Sequence, residues 1–314
     1  MIGVLSYFVF FCSVALILAI VVLGLNLQWG NTGLFNAGIA GFYAIGAYGF
    51  AILTAAPRAD LIGNFGLPWI VGVAGAMAAS AFIALVIGIA TLRLRDDYLA
   101  IATFGIAATI QLLALNLDPL TGGAMGISSL PNPFRGLFPA SILNNLCYLA
   151  LIVALVFVVY AGLQRIVASP WGRVLKAIRE DEIAARTLGK NIDMFRLQAF
   201  VLGAMLMGLG GALYVSFIGF VSPADFMPIL TFQVWTMLII GGSGNNKGAI
   251  LGAVVVWGLW SLIGAVTVQF LPPHFQIYGG ATQAVLIGLI LVLTLLLRPR
   301  GLIGERTTAS RHAT

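Results

Sequence analysis

Long apolar runs separated by short polar breaks are the main pattern of this chain. The longest runs that contain no Asp, Glu, Lys or Arg cover 1–57, 61–92, 98–117, 136–164, 197–224, 226–246 and 248–297. A helix that crosses a membrane needs about 20 apolar residues, so the first and last of these runs can each hold two spans. The pattern therefore predicts an all-α, polytopic integral membrane helical bundle.

The composition supports this prediction and excludes a soluble fold. Hydrophobic residues make up 61% of the chain and charged residues 8%, whereas soluble domains have about 45–50% and about 25%. The net charge of +6 would suggest nucleic acid as a partner of a soluble protein, but in a membrane protein it indicates basic cytoplasmic loops. We therefore expect lipid around the chain and no nucleic-acid partner.

Positive residues predict the orientation. They cluster at Arg93 and Arg95, in segment 165–196, and in the tail 298–314, and the positive-inside rule places all three in the cytoplasm. The intervals between them then fit nine spans with the N-terminus outside, although eight or ten remain open because 227–240 is short and 119–135 could be re-entrant. The expected spans are about 5–27, 38–56, 68–92, 98–117, 145–163, 197–221, 227–240, 249–270 and 281–297.

Glycine is abundant within and between these spans. The runs GLGGAL (208–213) and GVAGAMAAS (72–80) place small residues three or four positions apart, a spacing that favours close helix packing in lipid. Three glycine- and asparagine-rich breaks, 26–38, 121–133 and 241–248, fall near membrane depth. Such breaks build solute sites in transporters, but they are equally compatible with ordinary loops.

Segment 165–196 is where this chain concentrates its charge. Ser169-Pro170 is typical of a helix start, acids follow at 180–182, and Gly189 suits the position just after a helix end. These signals predict one or two short helices outside the membrane. Their small residues Ala184, Ala185 and Gly189, rimmed by charge, favour a surface that docks into a groove of a partner.

The chain offers no chemistry of its own. The spans contain no acids except at their edges, as at Asp97, Asp118 and Asp225, and GGSGNNKG lacks the phosphate-loop pattern. The two histidines, His274 and His312, and the two cysteines form no cluster. We therefore predict no catalytic residue, metal or cofactor, disfavour a proton relay and a membrane enzyme, and expect energy to come from a partner.

Motifs along the whole chain carry a family resemblance. Segment 172–191 resembles the cytoplasmic loop of branched-chain amino acid ABC importer permeases of the Liv type, and its AAxxxG pattern is similar to the EAA loop of ABC import permeases, with Ile183 in place of Glu. The order and spacing resemble the M-type subunit. The other matching stretches are GLFNAGIAGFYAIGAY (33–48), RLRDDYLAIATFG (93–105), TGGAMGI (121–127), FVLGAMLMGLGGALY (200–214), LIIGGSGNNKGAILGA (238–253) and LRPRGLIGE (297–305).

The resemblance implies a single permease domain over 1–314 in a bacterial inner membrane, paired with a homologous permease. It implies two ATP-binding ABC subunits that grip residues 173–190 and the partner's matching loop, and a periplasmic binding protein that delivers the solute. The coupling residues would be Arg179, Glu180, Asp181, Glu182, Ala184, Ala185 and Gly189.

The solute and its path are less constrained. A zwitterion needs hydrogen-bonding groups across the membrane, and the candidates are Asn26, Asn36, Gln111, Asn116 and Gln233, each of which could instead join two helices. Branched-chain amino acids are the expected solute, with urea, short-chain amides and other small carboxylic acids as alternatives. A channel or gradient-driven carrier, and pairing of the chain with itself, also remain open.

Overall fold

The computed structural model describes residues 2–58, 61–94, 96–270, 279–298 and 300–304. Helices dominate it, and a single π-helical turn, Asn26–Gly30, continues the first of them. The α-helices are α1 (Ile2–Leu25), α2 (Ile39–Thr54), α3 (Trp69–Thr91), α4 (Asp96–Asn116), α5 (Asp118–Thr121), α6 (Ser141–Ala168), α7 (Pro170–Glu180), α8 (Glu182–Thr187), α9 (Ile192–Ile218), α10 (Pro228–Gly241), α11 (Asn246–Phe270) and α12 (Gly279–Leu297).

Each of the nine expected spans coincides with one of these helices, so the prediction of a polytopic helical membrane protein is confirmed. Within the described part of the chain, seven helices are long and apolar enough to cross a membrane. The other two, α2 with 16 residues and α10 with 14, are shorter. The sequence did not predict a two-stranded antiparallel pair, β1 (Ile127–Ser128) and β2 (Phe220–Val221).

The core of the bundle is built around α1 and α9. In each of them 72% of the most apolar stretch is buried, against 6% in α12. Other helices surround α9, which packs against α1, α2 and α3. The exposed α12 contacts only α10 and α11 closely among the described helices.

Glycines bring α2 and α9 into backbone contact, as the small-residue spacing predicted. A Cβ at Gly46 would overlap the backbone of Gly208, and a Cβ at Gly211 would overlap the carbonyl oxygen of Tyr43. Dispersion between close backbones replaces the hydrophobic drive that lipid cannot supply. The run GLGGAL therefore packs helices together.

The positive clusters meet at one end of the bundle, which we name the charged end. Arg93, Glu182 and Arg196 line one polar cavity of about 620 Å³ there. The tail reaches the same end, because the backbone N–H groups of Leu302 and Ile303 donate to the carbonyls of Ile240 (2.8 Å) and Gly241 (3.0 Å) at the end of α10. The predicted cytoplasmic positions Arg95, Arg306 and Arg311 lie outside the described residues.

Candidate functional site

The charged segment forms two helices, α7 and α8, and α7 is anchored to the bundle through one face. Leu175 and Ile178 are buried, and the indole Nε1 of Trp171 donates to Gln198 Oε1 of α9 at 2.7 Å. Pro170 occupies the first turn as predicted, but Ser169 makes no side-chain cap. Its hydroxyl donates instead to the Ile166 carbonyl at 2.7 Å.

Acidic residues start and fasten α8. The Asp181 carboxylate accepts a hydrogen bond from the backbone N–H of Ala184 at 3.0 Å, which caps the helix. Glu182 forms ion pairs with Arg186 at 3.1 Å and with Arg196 of α9 at 2.9 Å. The Arg196 side chain is only 14% exposed, so this pair ties α8 to the bundle. Glu180 is exposed and lies 3.9 Å from Arg179.

Gly189 ends α8 in the way that its position predicted. It has a φ of +74°, which L side chains rarely adopt. Its N–H donates to the Arg186 carbonyl at 3.0 Å, and the N–H of Lys190 donates to the Ala185 carbonyl at 3.3 Å. These bonds satisfy the last carbonyls of the helix and turn the chain towards α9.

The predicted small face is wrong in one respect, because Ala185 does not lie on the surface. It is 3% exposed and packs with Ile178 and Ile192 between α7, α8 and α9. The most exposed large apolar side chains of the segment are Ile183, 78% exposed, and Leu188, 77% exposed. These two large apolar residues stand in a charged stretch of the sequence, and the prediction of a docking face made of small residues overlooked them.

Arg179 points into the bundle, away from the docking surface. Its Nη1 donates a hydrogen bond to the carbonyl oxygen of Gly30, at the end of the π-helical turn. Gly33, with a φ of +79°, packs on the same side chain, since a Cβ there would lie 3.4 Å from Arg179 Cγ. The Arg179 side chain thus joins α7 to the π-helical turn through its guanidinium and to the irregular segment 31–38 through its aliphatic part.

Two of the solute-path candidates, Asn26 and Asn36, are fully buried near the π-helical turn and the irregular segment. Their side-chain amides are hydrogen-bonded within the protein. Asn26 donates to Asn246 Oδ1 and accepts from the N–H of Gly244, both at 2.8 Å. Asn36 donates to Gln28 Oε1 at 2.8 Å and accepts from the N–H of Gly38 at 2.7 Å. Satisfied buried amides fix a backbone in place, which disfavours a role in binding solute.

Gln111 and Asn116 also use their amides within the protein. Gln111 Nε2 donates to the Pro223 carbonyl at 3.3 Å, and Asn116 Nδ2 donates to the Leu112 carbonyl one turn earlier at 2.7 Å. Gln233 differs, because its Nε2 is buried and has no partner. The side chain is 8% exposed and lines a second cavity, which we name the aromatic cavity.

The aromatic cavity has a volume of about 490 Å³ and lies between α10, α11, α12 and the irregular segment. Trp235 is at its centre: Phe35 stacks on it with ring centroids 4.3 Å apart, and Trp29 meets it edge-on at 4.8 Å. The Trp235 indole also donates to the Asn36 carbonyl at 3.0 Å. The structure therefore brings one of the five candidates, Gln233, to a cavity of ligand size.

Among the described residues, no three His, Cys, Asp or Glu side chains lie together in a way that could bind a metal ion. Asp225, in the turn before α10, accepts from the N–H of Ser222 at 3.2 Å, and burial raises the pKa of its carboxyl. His274 and His312 lie outside the described residues.

Comparisons with known proteins agree over most of the chain. A family model described as "Branched-chain amino acid transport system / permease component" matches residues 7–295. The high-affinity branched-chain amino acid transport system permease protein LivM of Escherichia coli (strain K12) is 34% identical over 316 residues, which cover 93% of this chain and 68% of that protein.

Two further relatives are more distant. The LivH permease protein of the same Escherichia coli system is 26% identical over 303 residues, 91% of each chain. The guanosine ABC transporter permease protein NupQ of Bacillus subtilis (strain 168) is 26% identical over 278 residues, 84% of this chain and 76% of that protein. The M-type resemblance is thus confirmed, and this chain belongs to the family of branched-chain amino acid transport system permease components.

Proposed function

We propose that this chain is one permease subunit of an ATP-driven importer for branched-chain amino acids. The observation that carries the proposal is the α7–α8 segment, which is anchored to the bundle yet presents Ile183 and Leu188 outward. An apolar pair among charges is typical of a surface that a partner protein covers. The chain acts as a transport subunit, and ATP hydrolysis belongs to the partners.

The proposed setting is a bacterial inner membrane with the charged end in the cytoplasm. Arg93, segment 165–196 and the tail meet at this end, and positive residues favour the cytoplasmic side. Two ATP-binding subunits would then reach α7–α8 and the matching loop of a homologous permease. A periplasmic binding protein would deliver solute at the other end. The chain would form a single permease domain over 1–314, with loop 165–196 and tail 298–314.

Arg179 supplies a route from the docking segment to the interior. Its bond to the Gly30 carbonyl, together with Gly33 against its side chain, links a shift of α7 to the irregular segment. That segment carries Phe35, which stacks on Trp235 in the wall of the aromatic cavity. We infer that partner movements at α7–α8 reach the cavity along this path.

The remaining proposed coupling residues have separate tasks. Asp181, Glu182, Ala185 and Gly189 shape and anchor α8, while Glu180 and Ala184 are exposed beside the apolar pair. Of the proposed solute-path residues, Gln233 has the strongest support because its Nε2 has no partner and its side chain lines the aromatic cavity.

The test is uptake of labelled leucine into proteoliposomes that contain this chain, its homologous permease, the ATP-binding subunits and the binding protein. ATP-dependent uptake that isoleucine and valine compete, and urea and guanosine do not, is the expected result. ATP-dependent uptake of urea in place of leucine would move the substrate. Leucine uptake that needs no ATP would contradict the proposal in favour of a channel or carrier.

A further inference from the structure

The aromatic cavity lies close to the middle of the predicted membrane layer. Helices rise about 1.5 Å per residue, so Gln233 is about 12 Å along α10 from Gly241, and Gly288 is about 14 Å along α12 from Leu297. Both helices end at the charged end, and the hydrocarbon layer is about 30 Å thick. Transporters commonly hold their solute at this depth.

The wall of the cavity combines apolar surface with a buried hydrogen-bond donor, Gln233 Nε2, that has no partner. Its other lining residues include Trp260, Ile287 and Leu291, and the only amide among them is that of Gln233. An unpaired buried donor costs about 1–3 kcal/mol, and a ligand that brings an acceptor removes this cost. The cavity therefore suits a molecule with an aliphatic body and one acceptor group.

Irregular backbone in the wall favours a solute over a lipid. Phe35 and Ala37 line the cavity, and both belong to the segment between the π-helical turn and α2. Irregular backbone at membrane depth occurs where it is buried or faces a watery cavity, and it does not face lipid. Phe232 and Ile229 at the rim are 59% and 43% exposed, so the cavity is open to the surface of the subunit.

We propose that the aromatic cavity holds the aliphatic side chain of the solute in transit, with Gln233 Nε2 donating a hydrogen bond to the solute's carboxylate. This inference rests on the proposed function, because it takes the solute to be an amino acid. The ammonium group lies on the open side of the cavity, since the described wall offers no acidic partner for it, whereas the carboxylate has a donor in Gln233 Nε2.

Two glycines of α12 give a matched pair of variants for the test. Among the described residues, no atom lies within 4 Å of a Cβ built on Gly288, which lines the cavity, or on Gly280, which does not. Gly288→Leu should fill the cavity without a clash, and Gly280→Leu adds the same side chain elsewhere on the helix.

The first measurement is a tryptophan fluorescence titration of the purified complex with leucine and with valine, since Trp29, Trp235 and Trp260 line the cavity. One methylene in a hydrophobic pocket changes discrimination by about 10-fold or more, so Gly288→Leu should lower the preference for leucine over valine by about tenfold. The Gly280→Leu variant should keep the wild-type preference.

The second measurement tests the donor. Gln233→Met keeps the length of the side chain and removes the amide. Affinity for leucine and for 4-methylpentanoate, which has the carboxylate without the amine, should fall about two- to tenfold. Affinity for isoamylamine, which has the amine without the carboxylate, should not change.

The outcomes separate this inference from the proposed function. Equal leucine preference in the two glycine variants would overturn the inference, even if ATP-dependent uptake is normal. Quenching of the cavity tryptophans by lipids with brominated acyl chains, unaffected by leucine, would also overturn it by showing a lipid occupant. A third outcome is that Gly288→Leu abolishes leucine binding while the wild-type complex shows no ATP-dependent uptake. This result would support the cavity as a leucine site and refute the proposed importer function.

Discussion

Replacing Ile183 and Leu188 by alanine is expected to weaken binding of the ATP-binding subunits while leaving the permease folded. Both side chains are more than three-quarters exposed in the isolated chain, so their loss removes no internal packing. Each change deletes three carbon atoms, and burying a methylene is worth about 0.8 kcal/mol. Complete burial against a partner therefore predicts a loss of about 2.4 kcal/mol per residue, or about 60-fold in Kd.

The assay is the Kd of the purified permease complex for its ATP-binding subunits, measured by biolayer interferometry in detergent. Leu137→Ala is the matched control, because Leu137 is 62% exposed and lies in the connection that leads into α6, away from the charged end. Unchanged affinity in both Ile183→Ala and Leu188→Ala would refute the assignment of the docking surface. An equal loss in the control would show that the effect is not local.

Three further changes test other parts of the structure. Arg179→Ala should lower ATP-dependent uptake by about 10- to 100-fold, since a hydrogen bond from a charged group is worth about 1.5–3 kcal/mol, without changing the Kd for the ATP-binding subunits. The control is Lys247→Ala, because Lys247 is exposed and lies outside segment 165–196. Glu182→Gln removes the carboxylate that ties α8 to α9 and should make α8 more accessible to limited proteolysis, whereas an unchanged cleavage rate would count against the tie. Gly46→Leu forces α2 away from α9 and should cost about 1–3 kcal/mol, seen as a lower Tm of the detergent-solubilised protein, and an unchanged Tm would contradict the close contact.

The spans and helix ends could be predicted because their signals are local. Hydropathy and length define the long helices, and Gly189 ends α8 through its own backbone conformation. The burial of Ala185 could not be predicted in the same way, because it depends on which face of α8 meets α9. The residues near Ala185 in the sequence do not determine which face of so short a helix packs against the bundle.

The hydrogen-bond partners of some buried polar residues could not be predicted either, because they lie far away in the sequence. Asn26 was a reasonable candidate for the solute path, but its amide partner is Asn246, far along the chain. Only the folded structure reveals which buried amides have hydrogen-bond partners and which, like the Nε2 of Gln233, have none. The inward turn of Arg179 likewise depends on where the π-helical turn ends.

The contact between the tail and α10 sets an order for biosynthesis. The last carbonyls of α10 receive their hydrogen bonds from Leu302 and Ile303, which leave the ribosome about 60 residues after Gly241. At about 5–20 residues per second, the end of α10 waits about 3–12 s for its partner, during which α11 and α12 must be inserted. The membrane-embedded chain therefore closes its charged end last, and a nascent chain stopped before residue 300 leaves α10 without its cap.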